Sequence, residues 1–249
     1  KAAVSIPVLA KMTPNVTDIC EPAVSAKAGG ADGLAAINTV SALTNIDLTR
    51  FVPLPDVAGK GAMSGYSGPA VKPIGLRCIA QMAQHPDLGI PISGMGGIET
   101  WIDAVEYMLC GAGTLQITTG VIHYGYRIVE DILEGMSYFM DQHGFASVDE
   151  FIGKALPQTV PTDEFDLGHQ GIAAYDLDRC IGCGQCHIVC QDAGGQCLAW
   201  DDHSRRPVMD ESRCLGCMIC SFICPVSDPP LISSRAVPGK PEVIPPPSE

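Results

Sequence analysis

Apolar and polar positions alternate in blocks along the first two thirds of the chain. Residues 4–12 are rich in Val, Ile and Leu and break at Thr13-Pro14-Asn15, which predicts a strand and a loop. Residues 17–27 carry an N-cap candidate, small or apolar positions at Ile19, Ala23 and Ala26, and a Gly29-Gly30 stop, the pattern of a helix. Residues 33–37 predict a second strand, ending at Asn38-Thr39, and a Gly/Pro/Ser-rich loop continues to about Gly68. A helix over 70–84, with Pro73 in its first turns, leads to a strand over 90–93 and then to Gly94-Met95-Gly96-Gly97. A helix over 99–109 stops at Gly111, and a fourth strand over 114–117 is followed by Thr118-Thr119-Gly120. Helices over 126–142 and 147–155 complete the series.

Strands and helices that alternate in this way imply a parallel sheet covered by helices, with short buried strands. A doubly wound sheet and a (β/α)8 barrel both fit, since each gathers polar and glycine-rich loops at the C-terminal ends of its strands. Four strands amount to half of a barrel. Residues 159–174 lose the periodicity, carry Pro161, Asp163, Glu164 and Asp166, and read as a linker. The expected division is an α/β domain over 1–165, a cysteine-rich domain over 166–234 and a tail over 235–249. The tail holds Pro238, Pro241, Pro245, Pro246 and Pro247, so it is expected to be extended or disordered.

The cysteines change the picture most. Nine of the 12 lie between Cys180 and Cys224. Cys180, Cys183, Cys186 and Cys190 recur as Cys214, Cys217, Cys220 and Cys224, each 34 positions on, and Asp176, Arg179 and Gly182 recur as Asp210, Arg213 and Gly216. The pattern is C-x2-C-x2-C-x3-C, twice. Three thiolates at two-residue gaps wrap one corner of a four-iron cubane, and the fourth opens a helix and points to the partner cluster. One cluster is therefore assigned to Cys180, Cys183, Cys186 and Cys224, and the other to Cys214, Cys217, Cys220 and Cys190. Zinc ribbons use two well-separated C-x2-C pairs and do not give this spacing. Gln191 stands where the second copy has Pro225, a difference in the turn and not in the ligands. Cys197 is expected to be a free thiol, and Cys20, Cys78 and Cys110 small buried hydrophobes. Such a module carries electrons and needs a centre that splits electron pairs, usually a flavin. Its arginines, Arg179, Arg205, Arg206 and Arg213, partly offset the negative charge of the thiolates and clusters.

Charge removes other classes. The chain of 249 residues has 28 acidic and 15 basic side chains, a formal charge of −13. That balance opposes binding to nucleic acid or to an anionic membrane. No apolar run approaches the roughly 20 residues of a spanning helix, and a cytoplasmic setting is expected.

Three stretches of the α/β part read as a flavin mononucleotide site. Lys11, at the end of the first strand, would be a buried cation that stabilises the anionic reduced ring. Gly94-Met95-Gly96-Gly97 and Thr118-Thr119-Gly120 follow the last two strands, where barrels commonly build a phosphate site from backbone N–H groups and a helix N-terminus.

Longer stretches carry a resemblance. Lys11-Met12-Thr13-Pro14-Asn15, Gly29-Gly30-Ala31-Asp32-Gly33, Ala36-Ile37-Asn38-Thr39-Val40, Ser67-Gly68-Pro69-Ala70, Gly96-Gly97-Ile98 and Leu115-Gln116-Ile117-Thr118-Thr119-Gly120 resemble the dihydropyrimidine dehydrogenases. The first and third also occur in the related dihydroorotate dehydrogenases, and the double cluster module points to the pyrimidine-reducing enzymes. The resemblance covers about residues 4–226. It implies the C-terminal half of a (β/α)8 FMN barrel followed by a small α+β ferredoxin-like domain. It implies an enzyme that interconverts uracil or thymine with 5,6-dihydropyrimidines. Electrons would pass from NAD(P)H through FAD on a partner subunit and the [4Fe-4S] clusters to FMN. Lys11 would contact the flavin ring. Gly68, Met95, Gly96, Gly97, Thr118 and Thr119 would hold the ribityl phosphate and ring edge, and Asn38 and Thr39 the pyrimidine. The family's general acid is a cysteine on a loop ahead of this region, and no cysteine precedes Lys11. The chain is therefore expected to be the C-terminal part of a longer subunit, binding clusters but reducing no uracil alone. A homodimer or heterotetramer with an FAD- and NAD-binding subunit is expected. Two other readings remain: an electron-transfer subunit with vestigial flavin motifs, and a dihydroorotate dehydrogenase.

Overall fold

The computed structural model describes residues 1–165, 168–227 and 229–239. Its contacts divide the chain into two units, Lys1–Val160 and Pro161–Glu249.

In the first unit, β1 (Leu9–Met12), α1 (Cys20–Ala28) and β2 (Gly33–Ala36) come first. Two antiparallel ribbons follow, built from β3 (Val40–Ala42), β4 (Asn45–Asp47), β5 (Val52–Leu54) and β6 (Ser64–Tyr66), with β3 pairing β6 and β4 pairing β5. Then come α2 (Lys72–Gln84), β7 (Ile92–Met95), α3 (Trp101–Leu109), β8 (Thr114–Gln116), α4 (Thr119–Tyr124) and α5 (Ile128–His143). The main sheet is parallel, in the order β1-β2-β7-β8. That order follows the chain without a reversal. Right-handed crossovers between strands laid down in one direction put their helices on one face. A doubly wound sheet instead reverses its order at a switch point. Of the two arrangements the periodicity allowed, the sheet is the barrel type, an arc of four β/α units.

The central strands β2 and β7 are buried along their whole length, but β1 and β8 are exposed at alternate positions. Four buried strands were expected. A flanking strand has a neighbour on one side only, so half of its surface stays open. Leu34, Ile79, Met82, Tyr107 and Phe151 are among the fully buried side chains of this unit. Cys20 and Cys78 lie in the same core, where burial pushes both thiols up, while Cys110 is half-buried. Under α3, Lys72 Nζ contacts Asp103 at 2.5 Å and Glu106 at 2.8 Å. Burial pushes the Asp103 carboxyl up, but bonds from Lys72, Thr100 and the Glu99 N–H outweigh it and hold the group below the usual range. The same carboxylate closes a capping box with Thr100, so α3 starts at a fixed point.

Local departures from the expected elements have local causes. Residues 4–8 do not extend β1. Helix α1 starts at Cys20, whose N–H the Asp18 carboxylate accepts at 2.8 Å, and not after Thr17. The expected loop before Gly68 contains the two ribbons. The helix expected over 147–155 is reduced to 3-10 turns at Val148–Glu150 and Leu156–Gln158. Gly153, at φ 75°, turns between them, and the Gly153 and Ala155 N–H groups bond the Met108 and Leu109 carbonyls. The segment thus pairs with carbonyls at the end of α3, of which that of Met108 also accepts from the Gly111 N–H at 2.8 Å.

The second unit contains β9 (His169–Tyr175), α6 (Gln185–Ala193), β10 (Leu198–Asp201), β11 (Arg206–Met209), α7 (Ile219–Ile223) and β12 (Ile232–Pro238). β9 pairs antiparallel with β12 from His169↔Pro238 to Ile232↔Tyr175, and β10 pairs with β11. Two boundaries therefore need correction. The end of the expected linker, 169–174, is strand, and so is the start of the expected tail, Arg235 to Pro238. Most of β12 is solvent-exposed, so its sequence carries no apolar alternation, and its pairing alone makes it a strand. Asp166 and residues 240–249, the rest of the tail, lie outside the described residues.

The 34-residue repeat is repeated in the backbone. Gly182 and Gly216 have φ 69° and 67°, and Gly184 and Met218, also 34 apart, have φ 75° and 56° just before α6 and α7. The copies diverge at their ends. α6 runs through Cys190 to Ala193, whereas α7 stops at Ile223. Pro225 disfavours helical backbone at the preceding residue, and Cys224 is extended at φ −68°, ψ 124°. Gln191 imposes no such stop, and its side chain caps the Leu198 carbonyl at 2.7 Å.

Candidate functional site

The loops after β1, β2, β7 and β8 meet at one end of the main sheet and enclose a cavity of about 160 Å³. Lys11, Asn38, Thr39, Met95, Gly96, Gly97, Thr118 and Thr119 all line it, so segments scattered over 109 positions of sequence converge there. Gly68 is not in the lining but lies directly behind it. A Cβ on Gly97 would stand 2.7 Å from the Gly68 carbonyl oxygen, and one on Gly68 would stand 3.7 Å from Thr119. Lys11 is exposed in this structure, not buried as expected, because β1 is a flanking strand.

Each wall is held by identifiable bonds. The Asn38 N–H donates to the Met12 carbonyl and the Ile37 N–H to the Met95 carbonyl, both at 2.9 Å, extending the parallel ladder into the loops. Asn15 fixes the next residue, donating to the Thr39 carbonyl at 3.0 Å and accepting from the Ser41 N–H at 2.7 Å. The β3–β6 ribbon packs against Thr39, where a Cβ on Gly65 would come within 2.3 Å of the Thr39 hydroxyl. Thr119 donates to Ser67 at 3.1 Å, joining the loop after β8 to the one before α2.

Gly96 and Gly97 have φ 120° and 75°, a region that L side chains rarely adopt. Tyr107 on α3 supports them from below. Its hydroxyl donates to the Gly96 carbonyl at 2.7 Å and lies 3.2 Å from that of Met95. The ring fits only because its neighbours lack side chains. A Cβ would come within 1.8 Å of Tyr107 at Gly75, 2.7 Å at Gly94 and 3.3 Å at Gly96. Burial pushes the Tyr107 hydroxyl far above the ordinary phenol range, so it stays a donor.

Six lining residues were given no individual role from the sequence: Ile37, Ser67, Ile98, Gln116, Ile117 and Gly120. Gln116 Nε2 donates to the buried Ser93 Oγ at 2.9 Å, bracing β8 against β7. An amide at the C-terminal end of a barrel strand is the signal that could have found it.

In the second unit the eight repeat cysteines line two separate cavities. One is bounded by Cys180, Cys183, Cys186 and Cys224, the other by Cys190, Cys214, Cys217 and Cys220. Each set takes three thiols from one run and the last from the other. Zinc would require four thiolates converging on one point at about 2.3 Å. Among the described residues no three His, Cys, Asp or Glu side chains converge in that way. The thiols instead line two small, mostly apolar cavities. Backbone N–H groups face the sulfurs, with Gly182 N at 3.4 Å from Cys180 Sγ. Arg205 donates to the Gly182 carbonyl at 3.0 Å and Gln170 to the Cys214 carbonyl at 2.6 Å, each tying down a cysteine loop. Cys197 is buried 3.7 Å from Cys190 Sγ, and burial together with that neighbour pushes its thiol up to about 12.

A cysteine module of this shape belongs to the electron-carrying iron–sulfur proteins, and an arc of parallel strands with a glycine-rich loop cavity belongs to the flavin-type dehydrogenases. Residues 1–140 match the family described as dihydroorotate dehydrogenase, and the chain belongs to that family. Residues 173–229 match the 4Fe-4S dicluster domain. The NAD-dependent dihydropyrimidine dehydrogenase subunit PreA of Escherichia coli K12 is 52% identical over 208 residues, covering 83% of this chain and 51% of that protein. The catalytic subunit of dihydroorotate dehydrogenase B (NAD(+)) of Pyrococcus abyssi is 48% identical over 150 residues, 60% of this chain and 48% of its own. The chloroplastic dihydropyrimidine dehydrogenase (NADP(+)) of Arabidopsis thaliana is 41% identical over 159 residues, 62% and 37% of the two chains. The chain spans about half the length, or less, of these relatives. Among the described residues, no helix is long and apolar enough to cross a membrane.

Proposed function

We propose that this chain contributes part of the FMN site and the iron–sulfur path of an oxidoreductase that interconverts uracil or thymine with 5,6-dihydropyrimidines. One observation carries the choice of substrate class. The likeness to a dihydropyrimidine dehydrogenase subunit runs over 208 residues, whereas that to a dihydroorotate dehydrogenase subunit runs over 150. In this reading, Gly68, Met95, Gly96, Gly97, Thr118 and Thr119 hold the ribityl phosphate and ring edge. The φ values of the glycines and the close approach of Gly97 to Gly68 support a cradle open to an anion. Lys11 contributes positive charge at the ring, and Asn38 and Thr39 present donors and acceptors to a flat diamide. Bound FMN would supply hydride exchange with the pyrimidine. The clusters would be held by Cys180, Cys183, Cys186 and Cys224 and by Cys190, Cys214, Cys217 and Cys220. A partner subunit would bring FAD and NAD(H), in a homodimer or heterotetramer. None of the 12 cysteines forms a disulfide, which fits a reducing, cytoplasmic setting.

The visible spectrum of the purified protein tests this, with flavin bands expected on top of broad cluster absorbance. In the holoenzyme assembled with its partner, dihydrouracil is expected to bleach the flavin bands under anaerobic conditions and dihydroorotate to leave them; the reverse would overturn the substrate assignment. A Gly97→Ala variant is expected to lose flavin while keeping its iron, because the new Cβ strikes the Gly68 carbonyl oxygen and strains the positive-φ turn that shapes the cradle. Retention of flavin at the parent level would remove that loop from the site. Clusters without flavin bands would instead mark an electron-transfer subunit without its own flavin.

A further inference from the structure

Tyr175, the last residue of β9, is the one side chain shared by the linings of the two cysteine cavities. Its ring stands in the wall between them. Its hydroxyl is buried and has no hydrogen-bond partner among the described residues. The polar groups that act on it are sulfurs, that of Cys220 first and those of Cys186 and Cys190 after it. A buried O–H without an acceptor is costly, and a structure keeps one when the acceptor belongs to a bound group. A cysteine thiolate bound to iron is such an acceptor.

The rest of the repeat shows that this hydroxyl is not a general feature of the fold. The position 34 residues on is Met209, which lines the same cavity as Cys220 and offers no donor. On that side the Cys197 sulfur also lies 3.7 Å from that of Cys190.

We propose that Tyr175 is a potential-setting residue: its hydroxyl donates to the Cys220 sulfur and makes the cluster held by Cys190, Cys214, Cys217 and Cys220 easier to reduce. A hydrogen bond to a ligand sulfur withdraws charge from the cluster, which favours the more negative, reduced state. The inference rests on the reading of these cavities as cluster sites.

The test compares the parent chain with Tyr175→Phe, which keeps the ring in the wall and removes only the donor. Iron and sulfide content comes first. A parent without two clusters overturns the reading on which the inference rests, and a variant with the parent's content isolates the hydroxyl. Reductive titration followed by electron paramagnetic resonance, repeated on a Cys224→Ala background that leaves one cluster, then reads the potential. Tyr175→Phe is expected to shift the midpoint of the remaining cluster to a more negative value. Pulsed hyperfine spectroscopy of the reduced protein in D2O is expected to show an exchangeable deuteron coupling that the variant lacks. An unchanged or raised potential, or a coupling that persists in Tyr175→Phe, would overturn the proposal.

Discussion

Replacing Cys190 with alanine is expected to empty the cavity formed mainly by the other cysteine run. The reason is the exchange of the fourth thiol between copies: Cys190 lines the cavity of Cys214, Cys217 and Cys220, and Cys224 that of Cys180, Cys183 and Cys186. Each single substitution should leave about half of the iron, since one of two four-iron sites is lost. Pairs of substitutions decide between exchange and its absence. Cys190→Ala with Cys214→Ala should cost one cluster, because both thiols serve the same cavity. Cys190→Ala with Cys180→Ala should cost both. If each run held its own cluster, the two double variants would give the opposite iron contents. A fall in all four variants to no iron would indicate that neither cluster assembles without the other, and the contrast would then move to the spectra of partly loaded protein.

The second large effect is expected far from any cysteine. Gly75→Ala adds one methyl group 1.8 Å from the Tyr107 hydroxyl and 2.9 Å from the ring carbon that bears it. Tyr107 is fully buried and held on its other side by Gly94 and Ala112, so it has little room to retreat. Overpacking of this kind costs about 1–3 kcal/mol, and displacing the hydroxyl from the Gly96 carbonyl adds about 1 kcal/mol. A loss of roughly 3 kcal/mol is therefore expected in urea unfolding followed by circular dichroism, read as a lower midpoint at unchanged slope. Tyr107→Phe alone should cost about 1 kcal/mol, as it gives up the bonds to Gly96 and Met95. The double variant should cost less than the sum, because the phenylalanine removes the atom the methyl group strikes. Additivity would show that the two residues do not meet. The consequence extends to the cavity, since Tyr107 carries the Gly96 turn.

Much of this molecule was legible in the chain. Short-range physics suffices wherever a few neighbouring residues decide the outcome. The C-x2-C-x2-C-x3-C runs and their 34-residue offset specify two like loops, and the paired φ values at 182/216 and 184/218 follow from that. Alternating apolar blocks specify strands and helices because each element has to bury one face. Errors occurred where an element owes its form to a distant partner. β12 is exposed over most of its length and exists because β9 supplies its hydrogen bonds. The 3-10 turns after α5 are held by carbonyls at the end of α3. Lys11 reads as a buried cation from its position on a strand, and is exposed because β1 lies at the side of the sheet.

Two units, one an alternating α/β domain and the other a double four-cysteine module, and the loops that carry polar and glycine residues can all be read along the chain. Those are properties of residues close together in sequence. The order β1-β2-β7-β8, and with it a barrel-type arc instead of a doubly wound sheet, comes from the fold alone. Only it showed the exchange of the fourth cysteine as shared cavity walls, the Tyr107 strut beneath the flavin-type loop, and Tyr175 standing between two sets of thiols. Each of these depends on which distant segments come into contact, and contacts of that kind are selected by packing of the whole core, not by the preferences of any one stretch.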